Sequence, residues 1–347
     1  MSNAKWAVFT DLHLGVHQNS SVWHKIALDW VDWFVADLKE KNINQIIFTG
    51  DFFHSRSEIS VNTIHVAAEF LSKLKGFDIK MVVGNHDSYY KQKAEVHSLS
   101  ILSGYSNIEI FDKVSVIDIN GKKATFCPWG FDYGDVKDCD IIFGHFEIES
   151  FKMNAHKLCE EGYKPKDLLK KAPLIFSGHF HLNEEREYEE GKIIYVGSPF
   201  QLDFGERDCN KGYYIIDFKD LSYNYFTNNK TPIHKKLLVS EIINGEELKE
   251  EYKELIKNNF VKIVIDTNIE QKILDNIIHL CNSYSPLSLT VDPLVNYNLT
   301  NDQEGTDLSG VDISKAIVEF VNLLDIKEKE EVTKHTLYLY NQALKHD

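Results

Sequence analysis

Five apolar runs of four residues recur along the first part of the chain, and each leads within a few positions into a short polar motif. Residues 6–9, 45–48, 80–83, 140–143 and 173–176 precede Asp11-Leu12-His13, Gly50-Asp51, Gly84-Asn85-His86-Asp87, Gly144-His145 and Gly178-His179-Phe180-His181. Runs of this length suit buried strands. In layered α/β folds the loops at strand C-termini carry the chemistry. Strands that pair side by side therefore make neighbours of groups that lie far apart in sequence.

The motifs supply carboxylate oxygens from Asp11 and Asp51 and an amide oxygen from Asn85. They also supply imidazole nitrogens from His13, His145, His179 and His181. This mixture suits manganese, iron or zinc. Two such ions about 3.5–4 Å apart can clamp a phosphate, generate hydroxide and steady a leaving oxygen. A lone Gly-His pair is usually a polar loop, but five motifs in register point to a metal-dependent phosphoesterase centre.

Length and charge narrow the reading. A chain of 347 residues has room for one large domain and a smaller one. Hydrophobic content of 43% suits a packed core. No apolar stretch reaches the ~20 residues of a membrane span, and the N-terminus enters a strand pattern without a basic, apolar leader. Five cysteines without a C-x-x-C pair suggest reduced thiols in a cytoplasmic setting, a host's cytoplasm if the source is a phage. The net charge of −15 repels nucleic acid at long range. A nucleic-acid substrate would then need the metals, a local basic surface or a partner to hold it.

The order of elements predicts two packed sheets flanked by helices. Trp23, Ile26, Trp30, Phe34 and Leu38 step by three and four, the stripe of a core-facing helix. A second helix is expected over residues 58–74, burying Ile64, Ala67, Ala68 and Leu71. Asn120-Gly121 marks a hairpin, and strands are expected over 193–196, 213–218 and 221–226. A polar stretch at 228–232 closes the first domain, residues 1–228. A small α/β unit follows at 233–300, with strands at 260–265 and 287–291 around a helix at 271–281. A polar linker at 301–307 then precedes two C-terminal helices within 308–347. Their apolar faces carry Ile313, Ile317, Phe320 and Leu324, then Val332, Leu339, Tyr340 and Ala343.

The order and wording of the five motifs resemble the calcineurin-like metallophosphoesterases. Protein phosphatases of that superfamily follow Gly-Asp with Val-Asp-Arg-Gly, whereas this chain reads Gly50-Asp51-Phe52-Phe53-His54-Ser55-Arg56. That wording is similar to the bacterial SbcD nucleases, their eukaryotic and archaeal recombination-nuclease counterparts, and the recombination endonuclease subunit of T-even-like phages. Cys127-Pro128-Trp129-Gly130 and the segment from Tyr195 to Glu206 resemble the same group. The likeness covers residues 5–220 by motif and the small α/β unit by position.

The resemblance implies the metallophosphoesterase fold, an α/β sandwich with a capping domain and C-terminal helices. It also implies a site of two divalent metal ions, Mn2+ foremost, with Mg2+, Fe2+ or Zn2+ as alternatives. Asp51 would bridge them; Asp11, His13 and His181 would complete one shell, and Asn85, His145 and His179 the other. His86 would be the catalytic acid, with Asp87 fixing its tautomer. His54 and Arg56 would contact the substrate phosphate, His17 would touch substrate, and Tyr89 or Tyr90 would stack on a base or pack in the core.

The implied activity is double-strand exonuclease and single-strand endonuclease action on DNA in recombination and repair. The implied partners are an SMC-like coiled-coil ATPase of the SbcC type, gripped by the C-terminal helices, and a second copy in a homodimer. The competing readings are a small-substrate phosphodiesterase and a metal-free scaffold. The intact donor set argues against the scaffold, and the C-terminal third against the small-substrate enzyme.

Overall fold

The computed structural model describes residues 4–154, 157–244, 247–248, 251–293, 318, 321 and 328–343. Two six-stranded sheets pack face to face. The first runs in the order Ser222–Thr227, Gly212–Asp217, Lys5–Phe9, Gln45–Phe48, Asp78–Val82 and Ile108–Phe111. Its last four strands are parallel, and Gly212–Asp217 lies antiparallel to Lys5–Phe9. The second runs Glu184–Tyr188, Gly191–Tyr195, Leu174–Gly178, Ile141–His145, Lys122–Cys127 and Ser115–Ile119. Its four inner strands are parallel and its two edges antiparallel.

Side-chain alternation along the strands builds the layers. Trp6 and Val8 meet Ile47, Val82, Phe126, Phe143 and Phe176 between the sheets. Ala7 and Phe9 point the other way, to Trp30, Phe34 and Phe70 on the helices that cover the first sheet. The centres of the inner strands, such as Ile46, Ile47 and Phe48 or Ile141, Ile142 and Phe143, are apolar and fully buried because both of their faces are covered. The predicted hairpin stands at Asn120-Gly121, where both residues have positive φ as a tight two-residue turn requires.

Helix Ser21–Glu40 buries the predicted stripe of Trp23, Ile26, Trp30, Phe34 and Leu38. The second helix corrects the sequence reading. It spans Val61–Lys73 and starts where the Ser60 hydroxyl accepts from the Thr63 N–H. Its buried face is Thr63, Val66, Ala67, Phe70 and Leu71, while Ile64 and Ala68 are exposed. Phe70 sets that rotation, lying flat against Trp30 and edge-on to Phe52.

Residues 234–293 form a three-stranded parallel sheet of His234–Leu238, Phe260–Ile265 and Ser288–Pro293, with helix Gln271–Ser283 against it. The strand at His234–Leu238 was not foreseen. The unit has its own apolar cluster, including Leu237, Ile256, Ile263, Ile277 and Cys281. It joins the first sheet's layer through a column of rings: Trp23 stacks on Phe260 at 4.9 Å, and Phe260 on His234 at 4.7 Å.

Near the C-terminus, helix Lys329–Ala343 spans the positions of the predicted second stripe, of which Val332 is exposed. The predicted linker at 301–307 and the positions Ile313, Ile317, Phe320 and Leu324 lie outside the described residues. No described helix is long and apolar enough to cross a membrane. All five cysteines are free thiols.

Candidate active site

The five motifs meet where the C-terminal ends of the parallel strands of both sheets come together. Asp11 and His13 follow Lys5–Phe9, Asp51 and His54 follow Gln45–Phe48, and Asn85 to Asp87 follow Asp78–Val82. From the second sheet, His145 ends its strand, and His179 and His181 follow Leu174–Gly178. Asp11, His13, Asp51 and His179 all have positive φ, a conformation uncommon outside glycine. Strain of this kind gathers where a backbone must aim side chains inward.

Three groups of possible metal donors result among the described residues: His13, His54 and His86 at the rim, and two that include the motif carboxylates. Asp11, His13 and His181 form one: the Nε2 atoms of His13 and His181 face each other at 3.0 Å, and Asp11 Oδ1 lies 3.8 and 4.0 Å from them. Asp51, His145 and His179 form the other, with Asn85 between the two rings. Asp51 stands between the groups, its Oδ2 lying 3.6 Å from His13 Nε2 and 3.3 Å from His145 Nε2. Its Oδ1 accepts from the His86 N–H at 2.7 Å.

This donor set fits divalent cations. Buried ring nitrogens that face each other at 3.0 Å repel as two lone pairs unless a cation or proton lies between them. Asn85 behaves alike. With its Oδ1 turned inward it meets His145 Nε2 and His179 Nδ1 at 2.8 and 2.9 Å, an arrangement that a cation satisfies. Turned over, its NH2 donates to both rings and to Asp51, and its oxygen accepts from Arg56 Nη2 at 3.2 Å.

The electrostatics belong to a buried, crowded cluster. Burial pushes the Asp51 carboxyl up, but His145 and His13 outweigh it and hold the group well below the usual carboxylate range. Burial alone would depress His145, yet Asp51 and then Asp11 raise it to about 9. Burial drives His13 far below the ordinary histidine value despite Asp51 beside it. Burial, with Asp51 next, raises Asp87 to about 7 against its backbone hydrogen bonds.

His86 lies at the edge of the cluster. Its Nδ1–H donates to the His54 carbonyl at 2.6 Å, and its ring lies near-parallel to that of His54. This corrects the role expected for Asp87. The Asp87 carboxylate accepts the N–H groups of Asp51, Phe52, Phe53 and Gly84 at 2.9 to 3.1 Å, so it clamps one ligand loop to the next. The His54 carbonyl, not Asp87, fixes the His86 ring. His54 Nδ1 also lies 3.4 Å from His13 Nδ1.

The remaining candidates are less central. His17 stacks on Trp23 at 4.6 Å, and its Nε2 donates to the Leu202 carbonyl at 2.8 Å. Tyr89 and Tyr90 are 58% and 49% exposed on a hairpin, which rules out core packing for them.

Three groups beside the rings escaped the sequence reading. Trp129 lies 5.0 Å from the His179 ring, Glu147 faces His179 Nε2 at 3.2 Å, and Glu206 faces His181 Nδ1 at 2.8 Å. Trp129 lies within Cys127-Pro128-Trp129-Gly130 and Glu206 ends the segment from Tyr195, the two stretches that resemble the family, whereas Glu147 had no signal.

Residues 4–216 match the calcineurin-like phosphoesterases, and the chain belongs to that family. It is a hydrolase acting on phosphoester bonds, of a fold that uses divalent metal ions. Among individual proteins it is similar to exonuclease subunit 1 of Enterobacteria phage T4. The two are 25% identical over 357 residues, which span 96% of this chain and 97% of that protein. Among solved structures it is similar to an archaeal phosphodiesterase, at 14% identity and a TM-score of 0.37, over 65% of this chain and 99% of the other. A predicted phosphoesterase from Streptococcus pneumoniae is also similar, at 15% identity and a TM-score of 0.30, over 65% of this chain and 91% of the other.

Proposed function

We propose that the chain is a Mn2+-dependent DNA nuclease, acting on duplex ends and single strands as the nuclease subunit of an ATPase-nuclease complex. The observation that carries this reading is the meeting of five sequence-distant motifs around Asp51, with His86 at the rim. Similarity to an exonuclease subunit along nearly the whole chain supports the choice of DNA and of a complex.

Asp11, His13 and His181 would hold one ion, Asn85, His145 and His179 the other, and Asp51 both. Ions bound there supply positive charge to a phosphodiester and lower the pKa of an attacking water. His86, with Nδ1 committed to the His54 carbonyl, keeps Nε2 for protonating the departing sugar oxygen. His54 and Arg56 contact the phosphate, and the exposed Tyr89 offers a face on which a base can stack. The small sheet unit at 233–300 caps the site and positions the strand. Residues 308–347 bind the coiled-coil ATPase, which adds DNA-binding surface to a chain of charge −15 and so stimulates its cleavage of DNA. A second copy completes a homodimer in the cytoplasm.

The test offers the purified chain, with Mn2+, labelled duplex DNA, single-stranded DNA and bis-p-nitrophenyl phosphate in parallel. Wild type should cleave all three and lose activity in chelator, and Asp51→Ala should lose both metal and cleavage. Hydrolysis of the small diester alone would favour a small-substrate enzyme. Two ions retained by D51A at wild-type affinity would remove Asp51 from the bridging role.

A further inference from the structure

Behind His181 lies a buried ion pair. Glu206 and Lys211 are 5% and 4% exposed, and Lys211 Nζ meets Glu206 Oε2 at 2.6 Å. Glu206 Oε1 accepts from His181 Nδ1 at 2.8 Å, and Oε2 also accepts from the Ser198 hydroxyl at 3.1 Å and the Leu202 N–H at 3.0 Å. Lys211 donates further to the His181 carbonyl at 2.7 Å and to Ser198 Oγ at 2.8 Å. The lysine thus ties down the backbone of His181 while the glutamate ties down its ring. With Nδ1 carrying the proton to Glu206, the lone pair on Nε2 must face His13 Nε2 and Asp11.

The other rings of the site are held differently. His145 donates from Nδ1 to the neutral Thr49 carbonyl, and Glu147 beside His179 is 43% exposed, where water can replace it. Glu206 is the buried carboxylate of the set. A carboxylate behind an imidazole fixes its tautomer and makes the opposite nitrogen a stronger donor, and losing such a partner typically costs 10–100-fold in metal affinity.

We propose that Glu206, with Lys211 as its counter-ion, is a positioning residue that sets the tautomer and aim of His181 for metal binding. The proposal rests on the reading that Asp11, His13 and His181 hold an ion. The experiment is a Mn2+ titration of the full chain, followed through the electron paramagnetic resonance signal of free ion. Wild type should bind two ions. Glu206→Gln should weaken one site by about 10–100-fold and leave the other unchanged. Because E206Q strands a buried ammonium, the double variant E206Q/K211M carries the same expectation with that charge removed, its folding checked by circular dichroism.

A measurement on the unmodified protein stands beside it. Nitrogen-15 NMR of the Zn2+-loaded chain should find the His181 proton on Nδ1, and this result decides if neither variant folds. A folded double variant that binds both ions at wild-type affinity overturns the proposal, as does a His181 ring without a proton on Nδ1. Wild type that binds no ion overturns the reading of the site instead.

Discussion

His86 and Asp87 are adjacent in sequence, yet their side chains serve different parts of the site. The His86 ring is oriented by one carbonyl and lies at the rim, so its loss should leave the donors in place. His86→Ala is expected to lower DNA cleavage by about 10²–10⁴-fold, the range of a general acid, with metal content unchanged. Cleavage at the wild-type rate would make the ring structural. Asp87 is different, because four N–H groups converge on its buried carboxylate. Asp87→Ala leaves those donors unpaired, each costing about 1–3 kcal/mol but not additively. A loss of about 3–5 kcal/mol in urea unfolding of the metal-free protein is expected, comparable to breaking a buried charged network. Unchanged stability with lost activity would return Asp87 to a direct role in the chemistry.

The loops at the strand ends approach one another closely enough only because glycines stand there. A Cβ on Gly84 would lie 2.2 Å from Asp51 Oδ1, and one on Gly178 would lie 2.2 Å from Thr10 Oγ1 and 2.6 Å from the Thr49 carbonyl. Gly84→Ala must therefore push the Asp51 loop away from its partners. Metal binding and cleavage should both be lost, while far-ultraviolet circular dichroism keeps the native strand and helix content; a G84A chain that binds two ions normally would contradict this packing.

Such features explain what could be read in advance. The apolar runs and their motifs were legible because strand ends and ligands coincide in the sequence. The exposed side of helix Val61–Lys73 was not, because Ile64 and Phe70 are equally apolar and only contact with Trp30 and Phe52 chooses between them. Strand His234–Leu238 was missed because its lysines break the alternation, and the role of Glu206 because its contact with His181 is made only in the fold, 25 positions away in sequence.

At the largest scale, the phosphoesterase core and the small sheet unit share the ring column of Trp23, Phe260 and His234, with Phe204 edge-on to His234. The joint is sensitive to acid. His234 is 4% exposed, its Nδ1 has no hydrogen-bond partner, and its backbone N–H donates to Gln201 Oε1 at 2.6 Å. Burial pushes its pKa down to about 4, against Asp203 and Glu206, which raise it, and with His17 and Lys211, which lower it further. The unfolded chain has the ordinary value of about 6.5. Between the two values the unfolded state binds the proton more readily, so stability falls as pH falls. The contribution is complete above about pH 6.5 and gone by about pH 4. His234→Phe keeps a ring of similar size in the column and removes the titration. Thermal melts of metal-free protein from pH 8 to pH 4.5 should show the wild-type midpoint dropping more steeply below pH 6.5 than that of H234F. The comparison isolates His234 from the other buried histidines, which both proteins share. Parallel curves would mean that the column does not resist protonation, and that the joint between the core and the small unit is held elsewhere.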